Sequence, residues 1–523
     1  MNFNRINNIT GWIIFAIASL VYVMTIEPTA SFWDCGEFIA TAKNMEIGHP
    51  PGASFWMLLS KFFSLFAFGN GAAIAKMMNI MSALASGFTI LFLFWSITHL
   101  AKRFFVKDSE VEKGQLFAIM GAGIVGALAY TFTDSFWFSA VEAEVYAMSS
   151  LFTAAVFWAI LKWESVADQP GGDRWLILIA YLIGLSIGVH ILNLLALPAI
   201  VMVYYFKRHP VTRKGVIYAL IGSFVLLAVL LYGVIQLTIK AASWFELFFV
   251  NTIGLPFNSG VFIFIVLLIG ALTYAIIWSN KKGKVMWNTI FLGITFIMIG
   301  YSSIIVLPIR SAANPPLDEN NPDNTLNLLS YVNREVYGQR PLLYGEYFNA
   351  PMVDYKDGKN FYYKKDGKYA VADKRTDYVY DKKFMTIFPR MYNAQEPKYA
   401  DYYKQWGKIK GRPVKVTNSN GETEIRNVPT FGENLRFFFR YQLGHMYFRY
   451  FMWNFSGRQS DEQGYGNISS GNWITGIKFL DAMRLGPQDN LPKSITANKG
   501  HNTYFMLPLI LGLLGAWFYF KRH

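Results

Sequence analysis

Long apolar runs, repeated along most of the chain, constrain this sequence more than any other feature. A helix that crosses a bilayer needs about 20 mostly apolar residues. Ten candidates occur: Ile9–Ile26, Met77–Leu100, Leu116–Phe132, Val145–Trp163, Trp175–Ile191, Leu192–Phe206, Val216–Ile239, Val261–Trp278, Trp287–Pro308 and Tyr504–Phe520. Charged residues make up only 16% of the 523, and hydrophobic residues 53%. Soluble proteins average about 25% charged, so this chain lacks the polar surface that solubility needs. The pattern predicts a polytopic α-helical membrane protein with about ten transmembrane helices. The first run is too long for the apolar core of a signal peptide, and Pro28 is a poor residue before a cleavage point, so a retained helix is expected. The run Trp175–Phe206 is short for two crossings and contains Asn193 and Pro198.

Basic residues orient the helices, because Lys and Arg concentrate in cytoplasmic loops. Lys102, Arg103, Lys107 and Lys113 share one loop, and Lys162 and Arg174 flank another. Lys207, Arg208, Arg213 and Lys214 form a third, Lys281, Lys282 and Lys284 a fourth, and Lys521 and Arg522 follow the last run. Ten crossings bring all of these to one side together with Arg5, leaving Lys240 as the exception. The net charge of +14 is therefore expected to meet anionic membrane lipids. No basic-aromatic motif points to nucleic acid. Cys35 is the single cysteine, which excludes an intrachain disulfide and a Cys-based metal site.

This topology predicts a transmembrane domain over 1–309 with a large outside loop at 27–72, an extracytoplasmic α+β domain over 310–502, and a final transmembrane helix within 503–523. Phe361–Lys383 alternates aromatic and charged residues around Asp366-Gly367, a hairpin turn signal. Asn434–Phe455 mixes aromatics with arginines, which suits a helix at the membrane interface and equally a helix in a soluble core. No internal repeat is visible.

The ionisable residues collect at the outer helix mouths. Asp34 and Glu37 are three apart, on one face of a helix, among Phe32, Trp33, Phe38 and Ile39. A carboxylate in apolar surroundings can act as a general base. The alternative is a capping box with Ser31 as N-cap and Asp34 at its third residue. His49 heads the stiff turn Pro50-Pro51-Gly52, either aimed into a cleft or simply solvated. Glu142 and Glu144 precede a helix beside Tyr146, where acids favour the helix dipole; in so apolar a loop, ionisable residues also mark function. His190 and Asn193 sit at the turn of the short helical pair, as packing or as site residues. Arg310 ends the ninth run, either as an interfacial anchor or as a bidentate clamp for a phosphate. A transporter would show polar residues near mid-membrane and paired repeat halves. Acids with a counter-charge at the outer boundary suit chemistry on a lipid head group instead.

Four segments in order carry a resemblance. Phe32-Trp33-Asp34-Cys35-Gly36-Glu37-Phe38-Ile39-Ala40 and Gly48-His49-Pro50-Pro51-Gly52 resemble a family of bacterial membrane proteins first described as a domain of unknown function. That family is related to a eukaryotic branch of protein O-mannosyltransferases. Ala140-Val141-Glu142-Ala143-Glu144-Val145-Tyr146 and Gly188-Val189-His190-Ile191-Leu192-Asn193 resemble its other signature segments, and Phe455-Ser456-Gly457-Arg458-Gln459 matches loosely. The resemblance implies a GT-C glycosyltransferase fold, a polyprenyl-phosphate sugar donor and work on the extracytoplasmic face. It also implies an essential acid in the first outside loop, here Asp34 with Glu37 as helper. The related mannosyltransferases have two adjacent acids there. This chain spaces them three apart, so either is the candidate base. Family members can extend beyond the last span, whereas this sequence stops at His523, as a short or shortened member.

The expected reaction is inverting transfer of a sugar, mannose in the first instance, to Ser or Thr hydroxyls of exported proteins at the periplasmic side of the inner membrane. Asp34 or Glu37 is the expected base, and Arg310 neutralises the departing phosphate, with His49 or His190 as alternative donors. Carboxylates can hold a divalent ion, but no metal or other cofactor is expected. A lipid acceptor, a transporter or flippase, and a non-catalytic assembly factor are the competing readings.

Overall fold

A computed structural model describes residues 2–106, 110–338, 341, 343–389, 396–417 and 423–522. Lys107 and His523 lie outside these. The chain divides into two compact units, 1–337 with 362–370, and 338–361 with 371–523.

The first unit is helical. It opens with α1 (Phe3–Met24), α2 (Cys35–Asn44), α3 (Ser54–Ser64), α4 (Ile74–Phe105), α5 (Lys113–Thr131), α6 (Asp134–Ala140), α7 (Val145–Val166), α8 (Arg174–Ile187) and α9 (Leu197–Arg208). Among the described residues, eight helices are long and apolar enough to cross a membrane: Phe3–Met24, Gly71–Phe105, Lys113–Thr131, Val145–Val166, Ile191–Arg208, Arg213–Ile253, Ser259–Lys281 and Val285–Ser311. The chain is therefore a polytopic membrane protein with a β-containing region downstream of these helices.

Three expectations are corrected. Two of the ten expected spans form shorter apolar helices, Arg174–Ile187 and Leu507–Lys521. The run Trp175–Phe206 breaks at 188–190 rather than at 191/192: His190 is extended (φ −159°, ψ 139°), its Nδ1 accepts the Leu192 N–H, and the Asn193 amide donates to Ser186 Oγ at 2.8 Å. Residues 240–253, expected as a loop after the seventh span, continue its helix.

Close helix contacts rest on small residues, as in membrane bundles generally. A Cβ on Gly300 would lie 2.5 Å from the Leu185 backbone nitrogen, and one on Gly184 would collide with the Ile297 carbonyl. Glycine at both positions lets α8 and the helix Val285–Tyr301 touch along their backbones.

The expected boundary at 309/310 falls inside the first unit. Ile47 N–H donates to Leu317 O at 3.0 Å, and Glu319 N–H returns to Ile47 O at 3.1 Å, so the stretch after Arg310 pairs with the loop between α1 and α4. The helix Thr325–Val332 then buries Leu328, Leu329 and Tyr331.

The second unit holds antiparallel pairs Tyr344–Glu346 with Met385–Ile387, and Arg412–Thr417 with Thr423–Val428. Tyr347, Phe384, Val416 and Val428 form a small core. Strands Met352–Lys365 and Lys368–Tyr380 pair as the expected hairpin, turning at Asp366 (φ 46°) and Gly367 (φ 76°). Positive φ at both central residues is what a type I′ two-residue hairpin turn requires. The hairpin tip, 362–370, belongs to the first unit. There Tyr369 OH donates to Glu246 at 3.0 Å and its backbone exchanges two bonds with Asn251. The helical stretch 431–455 buries Phe437, Met452 and Trp453 and exposes Phe439 and Tyr447, so it combines a core face with an apolar exposed one. The last helix, Leu507–Arg522, belongs to this second unit.

Candidate active site

The loop that follows α1 builds one wall of a cavity of about 340 Å³. Its α2 helix starts at Cys35, so Asp34 is the N-cap residue, yet its side chain makes no capping bond. The capping box read from Ser31 and Asp34 does not form. The Asp34 carboxylate lines the cavity, is exposed, and has no side-chain hydrogen bond or ion pair among the described residues.

Glu37, one turn later, is engaged through one oxygen. Its Oε1 accepts the His49 backbone N–H at 2.6 Å and lies 3.0 Å from His49 Nδ1. A Cβ on Gly48 would collide with that same oxygen, which explains glycine ahead of His49. The turn is held from behind by Tyr331, whose hydroxyl donates to Gly48 O at 2.7 Å and lies 3.2 Å from His49 O. Gly52 (φ 72°) faces that hydroxyl, and a Cβ there would approach it to 2.9 Å.

The opposite wall is the start of α7. Glu144 is its N-cap and accepts the Val145 N–H at 2.5 Å. The Trp56 indole donates to the Glu144 carbonyl at 3.2 Å. Burial pushes the Glu144 carboxyl up to about 7, against the pull of the Val145 N–H and with help from nearby Glu142 and Asp34. Glu142 is also buried and raised by that burial, with bonds from Ser31 and Cys35 pulling back. The Cys35 thiol donates to Glu142 Oε2 at 3.6 Å, and burial and that acid push the thiol up.

Tyr146 and His190 stand side by side, with ring centroids 5.5 Å apart. Because His190 Nδ1 accepts a backbone N–H, its neutral ring carries the proton on Nε2. Burial, then the Arg334 charge, lowers its pKa and favours that neutral form.

The cavity therefore joins Asp34, Glu37, His49, Glu144, Tyr146 and His190. Glu142 and Asn193 stand behind it, bonded to Cys35 and Ser186 respectively. Arg310 is the correction. Its Nε donates to Met45 O at 2.8 Å and an Nη to Asn44 O at 3.3 Å, so it satisfies the last carbonyls of α2 rather than facing the cavity. The cavity's arginine is Arg334, exposed, without an ion pair among the described residues, and stacked 4.7 Å over Tyr337. Sequence reading missed it because 334 lies in a stretch assigned to the outer domain, in no recognisable motif. Glu46 was missed too; its only signal is its position two residues before Gly48-His49. Among the described residues, no three His, Cys, Asp or Glu side chains are grouped to hold a metal ion.

Comparison with known proteins singles out the same loops. Residues 34–213 match the family described as "Protein O-mannosyl-transferase TMEM260 N-terminal domain". Residues 338–439 match a family of unknown function. The chain is 23% identical over 142 residues to "Protein O-mannosyl-transferase tmem260" of Dictyostelium discoideum, covering 27% of this chain and 15% of that protein. It is 23% identical over 175 residues to "Protein O-mannosyl-transferase TMEM260" of Mus musculus, covering 33% and 22%. The match thus spans less than a quarter of either relative. No solved structure matches the chain significantly. The matched segment begins at Asp34 and carries every cavity acid and both cavity histidines, and through it this chain is related to the eukaryotic protein O-mannosyltransferases.

Proposed function

We propose that the protein is an inverting GT-C glycosyltransferase that moves a sugar, mannose in the first instance, from a polyprenyl-phosphate donor to Ser or Thr hydroxyls of exported proteins. It works as a multi-pass protein of the inner membrane with the cavity open to the periplasmic side. The observation that carries this reading is one cavity holding Asp34, a carboxylate with no side-chain partner among the described residues, and Arg334, a cation with no ion pair among them.

Asp34 takes the proton from the acceptor hydroxyl as that oxygen attacks the anomeric carbon. The bond from that carbon to the phosphate oxygen breaks, the configuration inverts, and polyprenyl phosphate leaves with the electron pair. Arg334 and the His190 Nε2–H meet the charge that develops on the phosphate. Glu37 holds His49 through Oε1 and so positions the turn, which leaves Asp34 as the acid free of side-chain bonds among the described residues. Apolar walls such as Phe38, Trp56 and Leu307 exclude water and strengthen both electrostatic effects. The phosphate is already an activated leaving group, so the reaction needs no metal and no enzyme nucleophile.

The test incubates the purified protein with polyprenyl-phosphate mannose and a Ser/Thr peptide, beside Asp34→Asn. Transfer by wild type and a loss of about a hundredfold or more in the variant is expected for a general base. Equal transfer by both removes Asp34 from the role. Transfer only to a lipid hydroxyl would change the acceptor class, and donor movement without transfer would replace the enzyme by a transporter.

A further inference from the structure

The cavity contains an acid that the reaction above does not use. Glu46 is only 7% exposed, lines the cavity, and has no side-chain hydrogen bond or ion pair among the described residues. The residue is mostly covered, yet its carboxylate oxygens are not among the fully buried atoms that lack a partner, so they open onto the cavity. An acceptor held there with its lone pairs free is available to a ligand.

Its backbone is held on both sides. Met45 caps α2 in the left-handed conformation (φ 58°), and the Glu46 N–H donates to Thr41 O at 2.9 Å. Arg310 grips the Asn44 and Met45 carbonyls immediately before it. Immediately after it, Ile47 exchanges two backbone bonds with the 317–319 stretch. The side chain is therefore presented from a fixed frame, as a binding group requires.

The chemistry of the ligand follows from the group. An ionised carboxylate only accepts hydrogen bonds and offers two oxygens. It repels a phosphate, so Arg334 rather than Glu46 suits that part of the donor. A neutral partner with two adjacent O–H donors fits, which in a sugar-phosphate lipid means a pair of ring hydroxyls.

We infer that Glu46 is the donor-sugar subsite, accepting hydrogen bonds from hydroxyls of the hexose while the phosphate is held elsewhere in the cavity. The assignment rests on the glycosyl-transfer reading. It makes Glu46 a specificity determinant: it holds the sugar against α2 and does not bind the lipid phosphate.

The experiment compares binding of polyprenyl-phosphate mannose with binding of bare polyprenyl phosphate by the full-length protein. Wild type, Glu46→Gln and Glu46→Asp are measured, with transfer to the Ser/Thr peptide recorded alongside. Hydrogen bonds to a charged group predict that Glu46→Gln shifts the ratio of the two affinities against the mannosyl lipid by about tenfold or more. Bare polyprenyl phosphate should bind both proteins equally, which also reports an intact fold. Glu46→Asp keeps the charge one methylene further back and should fall between the two. An unshifted ratio in both variants, or equal losses for the two lipids, overturns the assignment. If wild type still transfers mannose in that case, the transferase reading survives it. A wild type that neither binds the mannosyl lipid nor transfers overturns both.

Discussion

Glu37 Oε1 lies 2.6 Å from the backbone nitrogen of His49 and 3.0 Å from its Nδ1. One carboxylate oxygen thus fixes both the path of the turn and the orientation of its imidazole. With Glu37 holding His49, Asp34 at the N-cap of α2 is left as the acid with no side-chain partner among the described residues. The two should separate on mutation. Glu37→Gln keeps an oxygen for the His49 N–H and should cost transfer about tenfold, whereas Asp34→Asn should cost about a hundredfold or more in kcat. Steady-state kinetics of both variants checks the order, and a reversed order would make Glu37 the base.

The two arginines should also separate. Arg334 has no ion pair among the described residues, so Arg334→Gln should leave the melting temperature unchanged and raise the donor KM about ten- to a hundredfold. Arg334→Lys should recover part of the affinity, because lysine meets phosphate as a point charge. Arg310→Gln should do the opposite, losing about 1 to 3 kcal/mol of stability as the α2 carbonyls lose their donors. Melting curves and donor titrations of the pair decide it.

Glu144 gives the site a pH dependence with a definite sign. Its carboxyl, ordinarily near 4.5, titrates at about 7 in the folded protein. Below 7 it is neutral; above 7 it adds a negative charge beside Glu142 and Asp34 in a cavity that takes an anionic donor. Donor KM should therefore rise between pH 6 and pH 8, and Glu144→Gln should flatten that rise. Stability follows the same linkage: the contribution is complete below pH 4.5 and is lost as the pH climbs through 7. A wild-type KM profile identical to that of Glu144→Gln would remove Glu144 from donor binding.

Gly52 carries two constraints at once, a positive φ and the Tyr331 hydroxyl close by. Gly52→Ala should cost about 1 to 3 kcal/mol from the backbone alone. It should also lower transfer, because Tyr331 would release the Gly48 and His49 carbonyls. Tyr331→Phe should lower transfer without the backbone penalty. Comparing melting temperature and kcat for the two variants separates the effects.

Much of this protein is legible in local pattern. Apolar runs of spanning length mark the helices because a bilayer tests each run separately. Asp366-Gly367 marks the hairpin because its turn needs residues that tolerate positive φ. The segments around Asp34, His49, Glu144 and His190 could likewise be picked out, since ionisable groups in apolar surroundings stand out by contrast. What each of these residues does was not legible. Arg310 reaches carbonyls 265 and 266 positions away in the chain, and Arg334 takes its place in the cavity from a stretch that reads as part of another domain. Glu46 has no periodicity or motif of its own. Residue type and spacing specify which side chains carry charge, but whether a charge is already paired depends on partners brought together from distant parts of the chain, and only the folded structure decides that.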